Sequence, residues 1–147
     1  MKRIVAAIDH SDSSGRAGEL AAELAEKYDA DLILLSVVRD LGARDPGLNE
    51  YAHLEGLRDP VPSFTIDAAN ERLMPTRDKA MAKGVRRVST DVRVGEAADG
   101  ILACLKDTGA DLVVIGSRGH GRLTGLLFGS VAQKIAGVAP CPVLIVH

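Results

Sequence analysis

Tryptophan is absent from the 147 residues, and aromatic side chains make up only 3% of them. That argues against an aromatic-rich sandwich. The apolar fraction of 46% rests instead on Val, Ile, Leu and Ala, a composition that suits strands covered by helices. Cysteine is nearly missing too. Cys104 and Cys141 lie far apart and form no C-x-x-C pair, so no metal or redox motif is present, and a cytosolic chain would keep both reduced. Cys104 falls in an apolar helical pattern and reads as a small core residue; Cys141, between Pro140 and Pro142, is expected to be partly exposed. Charge of one sign is also lacking. The formal net charge is −2, and the longest basic run is Arg86-Arg87, a solvated strand start rather than a nucleic-acid stripe. Finally, no apolar run approaches a membrane span. The N-terminal run Ile4–Ile8 follows Lys2 and Arg3 but is short, ends in Asp9 and has no cleavage pattern after it. The expectation is one soluble cytoplasmic domain covering residues 1–147, with no nucleic-acid or membrane partner.

What is present alternates. Arg3 to Ile8 is a continuous apolar run, the pattern of a strand buried on both faces. Ser13 or Ser14 is placed to cap the following helix, in which Ala17, Leu20, Ala21, Leu24 and Ala25 form one stripe ending near Tyr28. Leu32 to Val38 reads as a second buried strand. Residues 40–64, broken by Pro46, Gly47, Gly56, Pro60 and Pro62, form a long connection with a weak helical period between Leu48 and Leu57. A helix is expected from Thr65 to Lys83, kinked or broken at Pro75 and closed by Gly84. Val88 to Val94 alternates with polar residues and suggests an edge or thinly covered strand. A helix through Ala97, Ile101 and Leu105 closes at Thr108-Gly109; Asp111 to Ile115 is a strand, Ser130 to Gly137 a helix, and Pro142 to Val146 a last strand. Five strands alternating with helices predict a doubly wound α/β fold with a parallel sheet and helices on both faces. Ligands of such sheets bind beyond the carboxyl ends of the strands, where the strand order reverses.

The stretch 116–131 carries the chemistry. Five glycines in sixteen residues free the backbone between a buried strand and a helix N-terminus. Amides there, together with the helix dipole, favour an anion such as phosphate, and Ser117, Thr124 and Ser130 add hydroxyls. A P-loop needs Gly-Lys-Ser/Thr, which the chain does not contain. A dinucleotide fingerprint needs its glycines after the first strand and an acid about twenty residues on; Gly119-x-Gly121-x-x-Thr124 follows the fourth strand, and no such acid fits.

The spacing Gly116-x2-Gly119-x9-Gly129-Ser130 closely resembles the ATP-binding signature of the universal stress protein family. Asp9 at the end of the first strand, Val37, Gly95, the run Asp111–Gly116 and the ending Ala139–Val146 resemble that family too, so that the likeness covers nearly the whole chain apart from 40–64. The resemblance implies a Rossmann-like five-stranded sheet in the order 3-2-1-4-5. It implies ATP, with Mg, as ligand. Asp9 and Val37 would lie on the adenine side, Ile115 and Gly116 near the ribose, and Gly119, Gly129, Ser130 and Val131 at the phosphates, with Arg118 and Arg122 bracketing the triphosphate or facing solvent. Asp9 as a helix cap and Val37 as plain strand core are the alternatives. Ser130 would touch phosphate and, with it, a divalent cation.

No residue is assigned a catalytic role or a protein metal site. His120 has no carboxylate near it in sequence, and Asp9, His10, Asp12 and His120 form no recognised constellation. The function implied is an ATP-binding stress-response or signalling module, in which the nucleotide acts as a conformational ligand for an unidentified protein partner. The alternative is an enzyme, at most a slow Mg-dependent ATPase, or a nucleotidyl transferase. An apolar last strand at a sheet edge is an aggregation hazard. The family resemblance implies that pairing through Val143, Leu144, Ile145 and Val146 removes it, giving a homodimer.

Overall fold

The computed structural model describes residues 1–39, 60–118 and 128–147, with only the backbone of 60–64. Five strands are present: β1 (Arg3–Ala7), β2 (Asp31–Val38), β3 (Val88–Val94), β4 (Leu112–Gly116) and β5 (Val143–Val146). The four helices among the described residues are α1 (Asp12–Tyr28), α2 (Pro60–Ala82), α3 (Ala97–Thr108) and α4 (Ser130–Val138). All strand pairs are parallel and the sheet order is β3-β2-β1-β4-β5, the expected doubly wound topology. The central strand β1 lies between β2 and β4, with Ala7 level with Leu35 on one side and Ile115 on the other.

The two-residue side-chain period of a strand divides the core. Ile4, Ala6, Ile8, Leu32, Leu34 and Val114 pack under α1 and α2 with Ala17, Ala21 and Leu73. Val5, Ala7, Ile33, Leu35, Val113 and Ile115 pack under α3 and α4 with Ile101, Leu105 and Ile135. The buried face of α1 is small, with alanines at 17, 21, 22 and 25, so its axis sits close to the sheet. A Cβ on Gly18 would stand 3.1 Å from Ile8 Cδ1 and 3.2 Å from Thr76 Cγ2. Cys104 is fully buried and Cys141 half-buried. Edge strand β3 leaves Val94 exposed, while Val88 and Val92 pack on the core.

Three local expectations need correction. The N-cap of α1 is Ser11, whose hydroxyl accepts from the Ser14 amide; Ser13 and Ser14 are themselves inside the helix. α2 begins at Pro60, not Thr65, and runs through Pro75 without a break. Pro75 cannot donate to the Glu71 carbonyl, but Ala69, Leu73 and Ala80 bury on both sides of it, and that packing holds the helix together. The weak helical period between Leu48 and Leu57 lies outside the described residues.

Candidate functional site

The carboxyl ends of β1, β2 and β4 open onto one cavity of about 370 Å³, in the size range of small-ligand sites. It sits where the strand order reverses between β1 and β4. One wall is apolar: Ala7 and Leu35 from the strands, Ala97 and Ile101 from α3, Ile115 from β4. Val37 completes that wall and presses against α3, where a Cβ on Gly100 would come within 2.8 Å of its methyl groups.

The opposite wall is polar and is made by two helix starts. Leaving β1, the chain turns at His10, which adopts a left-handed φ of 65°. The Asp9 carboxylate accepts from the Ser11 amide at 3.0 Å and the Ser11 hydroxyl at 2.5 Å. Asp9 therefore orients the capping residue rather than capping the helix itself. The Ser13 hydroxyl donates to the Arg118 carbonyl at 2.6 Å, which ties the start of α1 to the segment after β4. Gly116 permits this approach. A Cβ there would lie 2.6 Å from Ser13 Oγ and 2.7 Å from the Ser14 amide nitrogen.

Beyond β4 the buried Ser117 is held on both sides. Its amide donates to Val146 and its carbonyl accepts from the Gly129 amide, each at 2.7 Å. Gly129 is the N-cap of α4 and brings no side chain to cap with. The first intrahelical bond runs from the Gln133 amide to the Gly129 carbonyl at 3.0 Å. The amides of Ser130, Val131 and Ala132 thus have no acceptor within the helix, and these three residues line the cavity. Chemically the site offers an apolar slot next to a set of amide donors at the positive end of a helix dipole, suited to a ligand with one flat apolar part and one anionic part.

Of the nine residues singled out from sequence, Asp9, Val37, Ile115, Gly116, Arg118, Gly129, Ser130 and Val131 all line this cavity. Gly119 lies outside the described residues, as do Arg122 and His120. Among the lining residues that sequence reasoning did not assign to the site are Arg39 and Phe128. The strand alternation Leu35, Val37, Arg39 was the available signal for the first, and an aromatic residue directly before the N-cap glycine for the second. Phe128 in turn meets the C-terminal His147 ring, with centroids 5.6 Å apart.

Three groups with shifted protonation, Cys104, Cys141 and Asp111, lie outside the cavity. Burial, followed by the Asp91 charge, pushes the Cys104 thiol up to about 11. Burial also raises Cys141. Asp111 is held below the usual carboxylate range, chiefly by the amides of Lys2 and Arg3, which donate to it at 2.6 and 2.9 Å. None of the three lines the cavity.

The sequence model of the universal stress protein family matches residues 1–147. The chain belongs to the universal stress protein family. It is 34% identical to universal stress protein YxiE of Bacillus subtilis, over 99% of this chain and 98% of that one. Among solved structures it resembles a universal stress protein in complex with cAMP, at TM-score 0.72 and 25% identity over 99% of this chain and 97% of that one. It also shares the fold of the universal stress protein of Archaeoglobus fulgidus in complex with dAMP, at TM-score 0.70 and 23% identity over 100% and 98% of the two chains. In this family setting the cavity at the switch point is the feature that calls for a ligand. Among the described residues, no helix is long and apolar enough to cross a membrane.

Proposed function

We propose that the chain binds an adenine nucleotide, ATP in the first instance, in the cavity between β1, β2 and β4, as a stress-response module whose surface changes with occupancy. The observation that carries this reading is the glycine-capped start of α4 opening into a cavity with an apolar opposite wall. The ligands of the two solved relatives, cAMP and dAMP, share an adenine and one phosphate with ATP. In this reading the base lies against Val37, with its polar edge toward Asp9, and the ribose passes Ile115 and Gly116. The α-, β- and γ-phosphates pass Gly119 and Gly129 and meet the amides of Ser130 and Val131, the Ser130 hydroxyl and the Arg118 guanidinium. Among the described residues no three His, Cys, Asp or Glu side chains cluster as metal ligands. A magnesium ion would therefore be carried by the phosphates and water, with Ser130 as the protein contact, as this ion's reluctance to dehydrate favours.

The protein is proposed to act as a homodimer. Among the described residues β5 pairs only with β4, and Val143, Leu144, Ile145 and Val146 are all half-buried. A second copy of this strand would satisfy the open edge. The setting proposed is the cytoplasm, with an unidentified protein reading the nucleotide-loaded surface.

Native mass spectrometry of the freshly purified protein, followed by calorimetric titration with ATP, tests the assignment. One nucleotide per chain is expected, with Ser130→Ala binding about tenfold more weakly. Failure to bind ATP, AMP or cAMP would overturn it. Single-turnover hydrolysis with Mg²⁺ on the order of one per second would instead identify an ordinary enzyme; turnover decades slower is the outcome expected of a switch.

A further inference from the structure

We infer that Arg39 is a specificity-determining residue, which donates to a ring nitrogen of the adenine base beside the exocyclic amine that Asp9 accepts. This rests on the nucleotide reading above and adds a residue that reading does not use.

The placement follows from register. Ala7 lies level with Leu35, and side chains two residues apart share a face of the sheet. Extending both chains outward puts Asp9 level with Val37, and Arg39 one pleat further along the same face. All of these residues line the cavity. β1 separates β2 from β4, so Arg39 stands on the far side of the cavity from the segment joining β4 to α4.

Several basic side chains near strand ends are paired: Arg3 and Arg87 with Asp31, Arg93 with Asp91 and Asp107. Among the described residues Arg39 has no acidic or hydrogen-bonding partner, and it is exposed at the cavity rim. An acceptor, Asp9, and a fork of donors, Arg39, thus both line the same apolar slot. An amino group flanked by a ring nitrogen presents the matching donor and acceptor, as the 6-amino edge of adenine does at N6 with N1 or N7. A 6-oxopurine would place an oxygen against the Asp9 carboxylate. The pair therefore selects 6-aminopurines.

The test is a binding cycle with wild type and Arg39→Met, measured by calorimetry with ATP, 1-deaza-ATP, 7-deaza-ATP and inorganic tripolyphosphate. Circular dichroism confirms that the exposed substitution leaves the fold intact. Arg39→Met is expected to weaken ATP about tenfold, the scale of one charge-assisted hydrogen bond. Wild type should lose the same factor with one of the two deaza analogues, and the variant should no longer distinguish that analogue from ATP. Tripolyphosphate should bind both proteins equally. Equal ATP binding by both proteins overturns the inference and leaves the nucleotide site standing. An equal loss for ATP and tripolyphosphate also overturns it, because Arg39 would then act on phosphate. If wild type binds no nucleotide at all, it is the underlying reading that fails.

Discussion

A Cβ added to Gly116 would stand 2.6 Å from Ser13 Oγ and 2.8 Å from the Ser13 carbonyl carbon. The end of β4 and the first turn of α1 are thus in direct backbone contact, and glycine at 116 is needed for packing whatever else the site holds. The obstructing atoms are largely backbone, so they cannot rotate aside. Gly116→Ala should destabilise the protein by about 1–3 kcal/mol, the usual cost of overpacking, and should weaken ATP binding by shifting α1 away from the cavity. Urea unfolding with the m-value held constant checks the first effect, and calorimetric titration the second.

The two thiols should separate cleanly by reactivity. Cys104 is fully buried, and its thiolate is disfavoured by burial and by Asp91. The thiolate is the reactive form. Cys141 is also raised but half-buried in the turn before β5. Under native conditions at pH 8, a thiol reagent should therefore modify Cys141 slowly and leave Cys104 intact, while both should react at once in guanidinium. Peptide mapping after a timed quench distinguishes the two. Early labelling of Cys104 would mean that α3 opens from the sheet far more readily than its packing implies.

The fold was legible because its signals are periodic and redundant. Four of the strands are short apolar runs closed by polar or glycine residues, β3 alternates apolar with polar residues, and the alternation with helices selects a parallel sheet. The strand order needed the family resemblance. The errors arose where neighbouring residues share one chemistry. Ser11, Ser13 and Ser14 are equally good caps by type, and only the turn at His10 with the Asp9 hydrogen bonds decides for Ser11. Pro75 breaks a helix in isolation, but burial of Ala69, Leu73 and Ala80 outweighs one missing bond. Arg39 escaped notice because its place at the cavity depends on the pairing of β1 with β2, which a linear motif does not encode. Gly116 carries two constraints at once, since it lines the cavity and packing against α1 also requires glycine there.

Asp111 gives the sheet a pH dependence at the end opposite the cavity. Its carboxylate accepts from the Lys2 and Arg3 amides and holds the start of β1 to the start of β4. The folded pKa is lowered, so the unfolded chain takes up the proton first as pH falls. The stabilisation is complete above the ordinary aspartate pKa of about 4 and is lost as pH falls through the lower, folded value. Asp111→Asn should reduce stability near neutral pH and flatten the acid side of the stability profile. Thermal melts from pH 7 to pH 3 provide the comparison; parallel curves for the two proteins would show that the carboxylate contributes nothing.

The proposed dimer can be tested at the outer edge of β5 with its bonds to β4 left in place, because the hydrogen-bond pattern assigns each β5 residue a side. The Val113 amide donates to Pro142 and the Ser117 amide to Val146. In a parallel pair, alternate residues of one strand make the bonds, so residues 142, 144 and 146 face β4. The amides and carbonyls of Val143 and Ile145 then point outward along the open edge. Proline at 145 removes an outward donor and is tolerated on an edge strand whose inward bonds are untouched. Ile145→Pro should therefore shift the mass measured by light scattering from dimer to monomer while the far-ultraviolet circular dichroism stays unchanged. If the wild type is a dimer and this variant remains one, the subunits meet through a surface other than β5.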